Sequence, residues 1–153
     1  MNFTISTIAY SLANYLAPTF PGITLYENPN QQRTQTPCMF LQQRYSYIKA
    51  KTAGRYLRQI GLDLTYLVDY NLPNMQQLYQ AAAEALDEVM ETFPYTDRTT
   101  DGTALLRTYD REWRIDLDAM HYKFELQVWV SVPEPEVPME TMTYNPEVTD
   151  GKS

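Results

Sequence analysis

Residues 38–70 read CMFLQQRYSYIKAKTAGRYLRQIGLDLTYLVDY, and the fold turns on this stretch. In its second half the even positions Ile60, Leu62, Leu64, Tyr66 and Val68 are apolar, while Gln59, Asp63 and Thr65 between them are polar. A period of two over that length predicts a strand with one buried face. Pro37 introduces an earlier strand, Cys38 to Lys51, apolar in its first half and tyrosine-rich and basic in its second. Thr52-Ala53-Gly54 supplies a turn between them. The prediction is a long hairpin over 38–70, apolar toward its open ends and basic around its turn.

The charge pattern singles out the same region. Residues 28–62 contain no acid and hold six of the twelve basic residues: Arg33, Arg44, Lys49, Lys51, Arg55 and Arg58. The remainder of the chain sets six bases against all nineteen acids, so a net charge of −7 conceals a dipolar molecule. Such a molecule attracts a copy of itself or a separate acidic partner. A sequence pI near 4.6 argues against whole-surface nucleic-acid binding.

On the N-terminal side, Ile5, Ile8, Leu12 and Leu16 recur at three- and four-residue intervals, which predicts a helix over 3–17 that Pro18 and Pro21-Gly22 end. Residues 23–27 are a short strand candidate and 28–36 a polar loop. On the C-terminal side, Asn71 and Pro73 open a second helix. Met75, Leu78, Tyr79, Ala82, Leu86, Val89, Met90 and Phe93 mark its buried face, Glu84, Asp87, Glu88 and Glu91 its exposed one, and Pro94 its end. A polar loop over 97–103 leads to two strands. The first alternates Trp113, Ile115 and Leu117 with Glu112, Arg114 and Asp116; the second places apolar residues at even positions from Met120 to Val132. Pro133, Pro135, Pro138 and Pro146, interspersed with Glu134, Glu136, Glu140, Glu147 and Asp150, then predict an extended acidic tail.

At 153 residues with 44% hydrophobic composition, the chain is long enough for one core. No stretch has the ~18 apolar residues that cross a bilayer, and Met1 to Pro18 contains no Lys or Arg to start a secretory signal. The expectation is a soluble, cytosolic chain with no membrane partner. Its fold class is expected to be α+β: a mixed, mainly antiparallel sheet with a long β-hairpin, packed by two helices and followed by an extended C-terminal tail. Residues 1–132 are expected to form one domain and 133–153 the tail. The order is helix, strand, hairpin, helix, two strands, tail.

Catalytic chemistry finds little support. His121 is the single histidine and falls on the polar face of the last strand, which reads as a surface hydrogen-bonding residue. No nucleophile-elbow, Walker or Gly-x-Gly-x-x-Gly pattern occurs. Asp110, Glu112, Asp116 and Asp118 lie close enough in sequence to consider a divalent cation, but solvated carboxylates are the preferred reading. Cys38, alone and inside an apolar run, reads as a buried, inert thiol. No catalytic, metal or cofactor residue is assigned.

The basic window carries the functional reading. Arg44-Tyr45-Ser46-Tyr47 and Arg55-Tyr56-Leu57-Arg58 mix cations with aromatics, a combination that stacks on and neutralises nucleic acid. A small nucleic-acid-binding adaptor using the hairpin 38–70 is therefore an alternative. The acidic remainder would repel phosphates, and a protein contact with the acids of helix two or the tail of another copy is preferred. Repeated, such a heterologous contact closes a ring where the rotation allows.

Several motifs carry a resemblance: Thr24-Leu25-Tyr26-Glu27-Asn28 after the first helix, Pro37-Cys38-Met39-Phe40-Leu41, Arg55-Tyr56-Leu57-Arg58, Asp63-Leu64-Thr65-Tyr66, Met120-His121-Tyr122 and Pro133-Glu134-Pro135. In order and spacing across most of 3–140, the chain resembles the tail terminator (tail completion) proteins of phages and prophages of Gram-positive bacteria. The loop 28–36 and the tail past 140 have no counterpart in that pattern. The resemblance implies a structural, non-enzymatic virion protein assembled in the host cytoplasm. It also implies a hexameric ring at the head-proximal end of the tail tube, which stops tube polymerisation and joins tail to head. Implied partners are other copies of the chain, the tail tube protein, head-completion or neck proteins, and the sheath protein if the tail contracts; genomic DNA passes through the lumen without specific binding. Arg44, Lys49, Lys51, Arg55, Tyr56 and Arg58 are the expected subunit or tube contacts, with Glu134 and Glu136 docking a neighbour.

Overall fold

The computed structural model describes residues 2–27, 36–69, 71–116 and 118–131. Helix α1 spans Ile5–Leu16, and its N-cap Thr4 accepts a bond from the Thr7 N–H at 3.2 Å. The predicted stripe of Ile8, Leu12 and Leu16 is buried, together with Ala9 and Ser11. Strand β1, Thr24–Tyr26, lies parallel to the first residues of β2, Cys38–Thr52. The hairpin is as expected: β2 runs antiparallel to β3, Arg55–Leu67, and Thr52 pairs with Arg55 across the turn. Ala53 and Gly54 both have positive φ, 44° and 78°, the conformation of a turn that matches the twist of two-residue hairpins.

Helix α2 spans Met75–Val89, shorter than its apolar pattern suggests. Phe93 and Pro94 belong to a strand the sequence reading missed, β4, Thr92–Thr96. Met90 and Phe93 fit helical spacing, yet Phe93 and Tyr95 alternate with exposed Pro94 and Thr96, a period of two too short to stand out. Pro94 is tolerated because β4 is the sheet's edge. Strand β5, Thr103–Ile115, also begins well before Glu112, where its pattern was recognised. A bulge between Tyr109 and Glu112, with Asp110 at φ 51°, flips the parity of the inward residues. Leu106 and Thr108 face the core before it; Trp113 and Ile115 pack against the core after it. Strand β6, Met120–Ser131, buries every even position through Val128, as its pattern demanded. Leu117, Val132, most of the loop 28–36 and the acidic tail lie outside the described residues.

The strands form one six-stranded sheet in the order β1-β2-β3-β6-β5-β4, antiparallel except for β1 with β2. The fold is α+β, as expected. The sheet curls: α1 packs against β4 at one edge and against β1 and β2 at the other, while α2 covers β5 and β6. Ile60, Leu62, Leu64, Phe124 and Leu126 meet Leu12, Leu16 and Leu86 in the enclosed core. Buried tyrosines satisfy their hydroxyls on nearby groups. Tyr79 donates to the Asp118 carbonyl at 2.9 Å and accepts from the Val68 N–H at 3.1 Å, and Tyr122 donates to Asp87 at 2.7 Å.

One expectation about β3 is corrected. Its second face is covered as well, because Gln59, Asp63 and Thr65 are all buried. Their cover comes from polar and aromatic side chains on the sheet's own outer surface, described next.

Candidate functional site

The distal part of β2 lies at the open edge of the sheet: from Gln42 to Thr52 every residue is exposed or half-exposed. Two register shifts interrupt its pairing with β3, between Gln43 and Tyr45 and between Ile48 and Ala50. The extra residues at these bulges are Arg44 and Lys49, both cations, and both come from the predicted contact set.

Aromatic rings lie beside three of the hairpin cations. The Arg44 guanidinium lies 5.3 Å from the Tyr45 ring centre, Lys51 Nζ 5.4 Å from Tyr56 and the Arg55 guanidinium 4.9 Å from Trp129. Arg58 is engaged within the subunit, where its Nε donates to Ser46 Oγ at 2.7 Å and its Nη1 to the Phe3 carbonyl at 2.8 Å. Among the described residues, none of Arg44, Lys49, Lys51, Arg55 and Arg58 forms an ion pair with a carboxylate. Among the described residues, then, no carboxylate contact compensates their positive charge.

Between these cations the outer face carries a built surface. Tyr45 crosses over Gly61 of β3, and its hydroxyl donates to Glu125 of β6, one strand further on. A Cβ at position 61 would overlap the Tyr45 ring, so only glycine lets the ring lie flat on the strand. Burial, and then the bond to Glu125, push the Tyr45 hydroxyl above its ordinary pKa. Gln59 donates to the other Glu125 oxygen at 2.6 Å. Tyr47 stacks on Tyr45 with ring centres 5.8 Å apart, and it is 48% exposed; Trp129 is 41% exposed, and Ile48, in register with Arg58 and Val128 on the opposite face, is 50% exposed. Sequence reasoning named the cations and Tyr56 but missed Gly61, Glu125 and Trp129. Gly61 was the available signal, since an isolated glycine inside a strand marks a close approach.

Toward the open end of the hairpin the same face becomes a hydrogen-bonded ladder. His121 Nδ1 lies 3.0 Å from Asp63 Oδ2 and 3.2 Å from Thr65 Oγ1, while its Nε2 lies 3.3 Å from Asp116 Oδ2. Arg114 closes the row on Asp116 at 3.4 Å. His121 is thus the surface hydrogen-bonding residue it was expected to be. Asp116, a carboxylate considered for a divalent cation, faces the Arg114 guanidinium and the His121 ring, and among the described residues no group of three potential ligands converges. Cys38 is fully buried, and burial pushes its thiol above the usual pKa.

Exposed acids lie on and just after α2, where Glu91, beyond the helix, pairs with Arg107 at 3.5 Å. Glu84, Glu88 and Glu91 are exposed, whereas Asp87 accepts from Tyr122 and Trp113. Glu134 and Glu136 lie outside the described residues.

A family model described as phage tail terminator protein matches residues 7–138, from α1 through the whole sheet and into the proline-rich acidic segment. The chain belongs to the phage tail terminator family. It is therefore a structural component of a phage tail, a protein whose work is contact with other tail components. The hairpin presents charge and exposed aromatic area on this tail terminator's surface. No curated protein matches the chain.

Proposed function

We propose that this tail terminator forms a ring, hexameric as the family resemblance implies, that caps the tail tube at its head-proximal end. The ring stops tube polymerisation and joins the tail to the head or neck, and it holds the last sheath layer if the tail is contractile. The motif set also points to a Gram-positive host. In this reading a folded domain through residue 132 is followed by an extended acidic tail. Arg44, Lys49, Lys51, Arg55 and Tyr56 on the hairpin face the next copy or the tube, and Glu134 and Glu136 dock a neighbour. Arg58 braces the hairpin against the N-terminal segment through its bond to the Phe3 carbonyl.

The observation that carries the reading is the exposed basic hairpin, whose cations have no carboxylate partner among the described residues, on a chain whose remainder is strongly acidic. Heterologous pairing of those two surfaces repeats from copy to copy and closes a ring. An acidic ring interior would suit a conduit for DNA, because a like-charged wall does not hold the duplex. A ring with a basic lumen would contradict that part.

Tube assembly tests the function. Tails assembled with the wild-type chain should end at a uniform length under electron microscopy. The double variant Lys51→Glu, Arg55→Glu should give overlong tubes, as omission of the chain does. Uniform tails with the double variant would remove the hairpin from the function.

A further inference from the structure

The two edges of the sheet are finished differently. At the β4 edge, Pro94 has no N–H to offer, and the Thr96 N–H is taken by Ser11 Oγ of α1 at 3.1 Å. That edge is closed to further strands. At the other edge β1 covers β2 only from Cys38 to Phe40. From Leu41 to Thr52 no strand among the described residues pairs with the outer side of β2, and the backbone there is open over several alternating donors and acceptors.

An open edge of this length invites another strand, and its chemistry restricts which one. Both bulge residues are cations, Arg44 and Lys49, and Lys51 follows on the same strand. Two such edges repel each other, so direct pairing of hairpin with hairpin is disfavoured. A helix such as α2 cannot satisfy a strand edge at all. The occupant must be extended and acidic.

The chain carries one such segment. After Ser131 come Glu134, Glu136, Glu140, Glu147 and Asp150, with no base before Lys152. Pro133 and Pro135 alternate with Glu134 and Glu136, so a strand made of them has donors along one side only. Such a strand pairs once and ends the sheet. Its starting point is also suitable, because Ser131 pairs with Arg55 at the hairpin tip, where the segment begins. The closely spaced prolines at 133, 135 and 138 favour stiff, extended chain, which suits reach to a neighbour.

We infer that the acidic segment following Ser131 in one copy adds as an edge strand to residues Leu41–Thr52 of β2 in a neighbouring copy. The inference rests on the self-assembly reading above and selects the tail, in place of α2, as the acidic surface the hairpin meets.

Zero-length carbodiimide cross-linking of the full chain, assembled from equal amounts of ¹⁴N- and ¹⁵N-labelled protein, tests it. The expected products join Lys49 or Lys51 to Glu134, Glu136 or Glu140 in mixed-isotope pairs. Hydrogen exchange should slow at alternate amides between Leu41 and Thr52 on assembly. Links from Lys49 and Lys51 to Glu84, Glu88 or Glu91 in intact rings would overturn the inference and leave the ring standing. Same-isotope links alone would overturn it too, by placing the tail on its own subunit. Mixed-isotope tail links in a sample that forms no ring would support the strand exchange while counting against the ring.

Discussion

Gly61 shows how much can hang on one missing methyl group. Its hydrogen faces the Tyr45 ring, and through that ring β2 reaches Glu125 on β6. Gly61→Ala forces the ring off the sheet, and overpacking of this kind costs ~1–3 kcal/mol. Urea unfolding should show a lowered midpoint, and Tyr45→Ala should recover part of the loss in the double variant. An unchanged midpoint for Gly61→Ala would mean the ring does not lie there. Asp97 supplies a second residue-scale prediction. It accepts from the Asn2 N–H at 2.7 Å, and from the Thr99 hydroxyl and N–H at 2.7 and 3.0 Å. These bonds, the Asn2 one foremost, hold its carboxyl well below the usual range. A depressed folded pKa stabilises above the unfolded value near ~4, and that contribution is lost as pH falls through the folded one. Asp97→Asn should lower Tm at neutral pH, and the gap to wild type should close on acidification below about 4. A gap that widens with acid would refute the assignment. The isolated glycine signals a close approach but not its partner, and the Asn2 bond to Asp97 is not readable in the sequence, because Tyr45 and Asn2 lie far along the chain from the residues they meet.

At the scale of elements, period-two patterning found β3 and β6 because both strands keep one parity over their length. It missed β4 because Met90 and Phe93 continue a helical spacing into a five-residue strand. It caught only the end of β5 because the bulge at Asp110 exchanges the inward parity midway. The hairpin turn was legible from Gly54, but the strain at Ala53 was not. Ala53 sits at φ 44°, where a Cβ costs roughly 1–2 kcal/mol and asparagine is better tolerated. Ala53→Asn should stabilise the chain by about 0.5–1 kcal/mol in denaturant unfolding. Destabilisation would show that the turn has another geometry. The candidate site divides the same way. Its cations were visible as composition, whereas the surface between them is assembled from three strands: Tyr45 on β2, Gly61 on β3, Glu125 and Trp129 on β6.

Over the whole molecule, the acid-free window of the sequence becomes an exposed hairpin on which Arg44, Lys51 and Arg55 rest on aromatic rings and, among the described residues, on no carboxylate. That arrangement could serve nucleic acid or protein, and net charge discriminates between them. A chain of charge −7 should show no steep, salt-dependent DNA retention in a filter-binding assay. Strong retention at low salt would favour the adaptor reading. Assembly itself should weaken with ionic strength, because charged contacts between exposed surfaces are screened beyond about 10 Å at 0.1 M salt. Sedimentation across a salt series would show this, and rings indifferent to salt would shift the contact to the apolar faces around Ile48 and Trp129. Membership of the tail terminator family leaves one position to establish. Electron microscopy of complete tails, with this chain tagged, should find it as a single layer at the head-proximal end of the tube. Finding it repeated along the tube would contradict a terminator and make the chain a tube or sheath component.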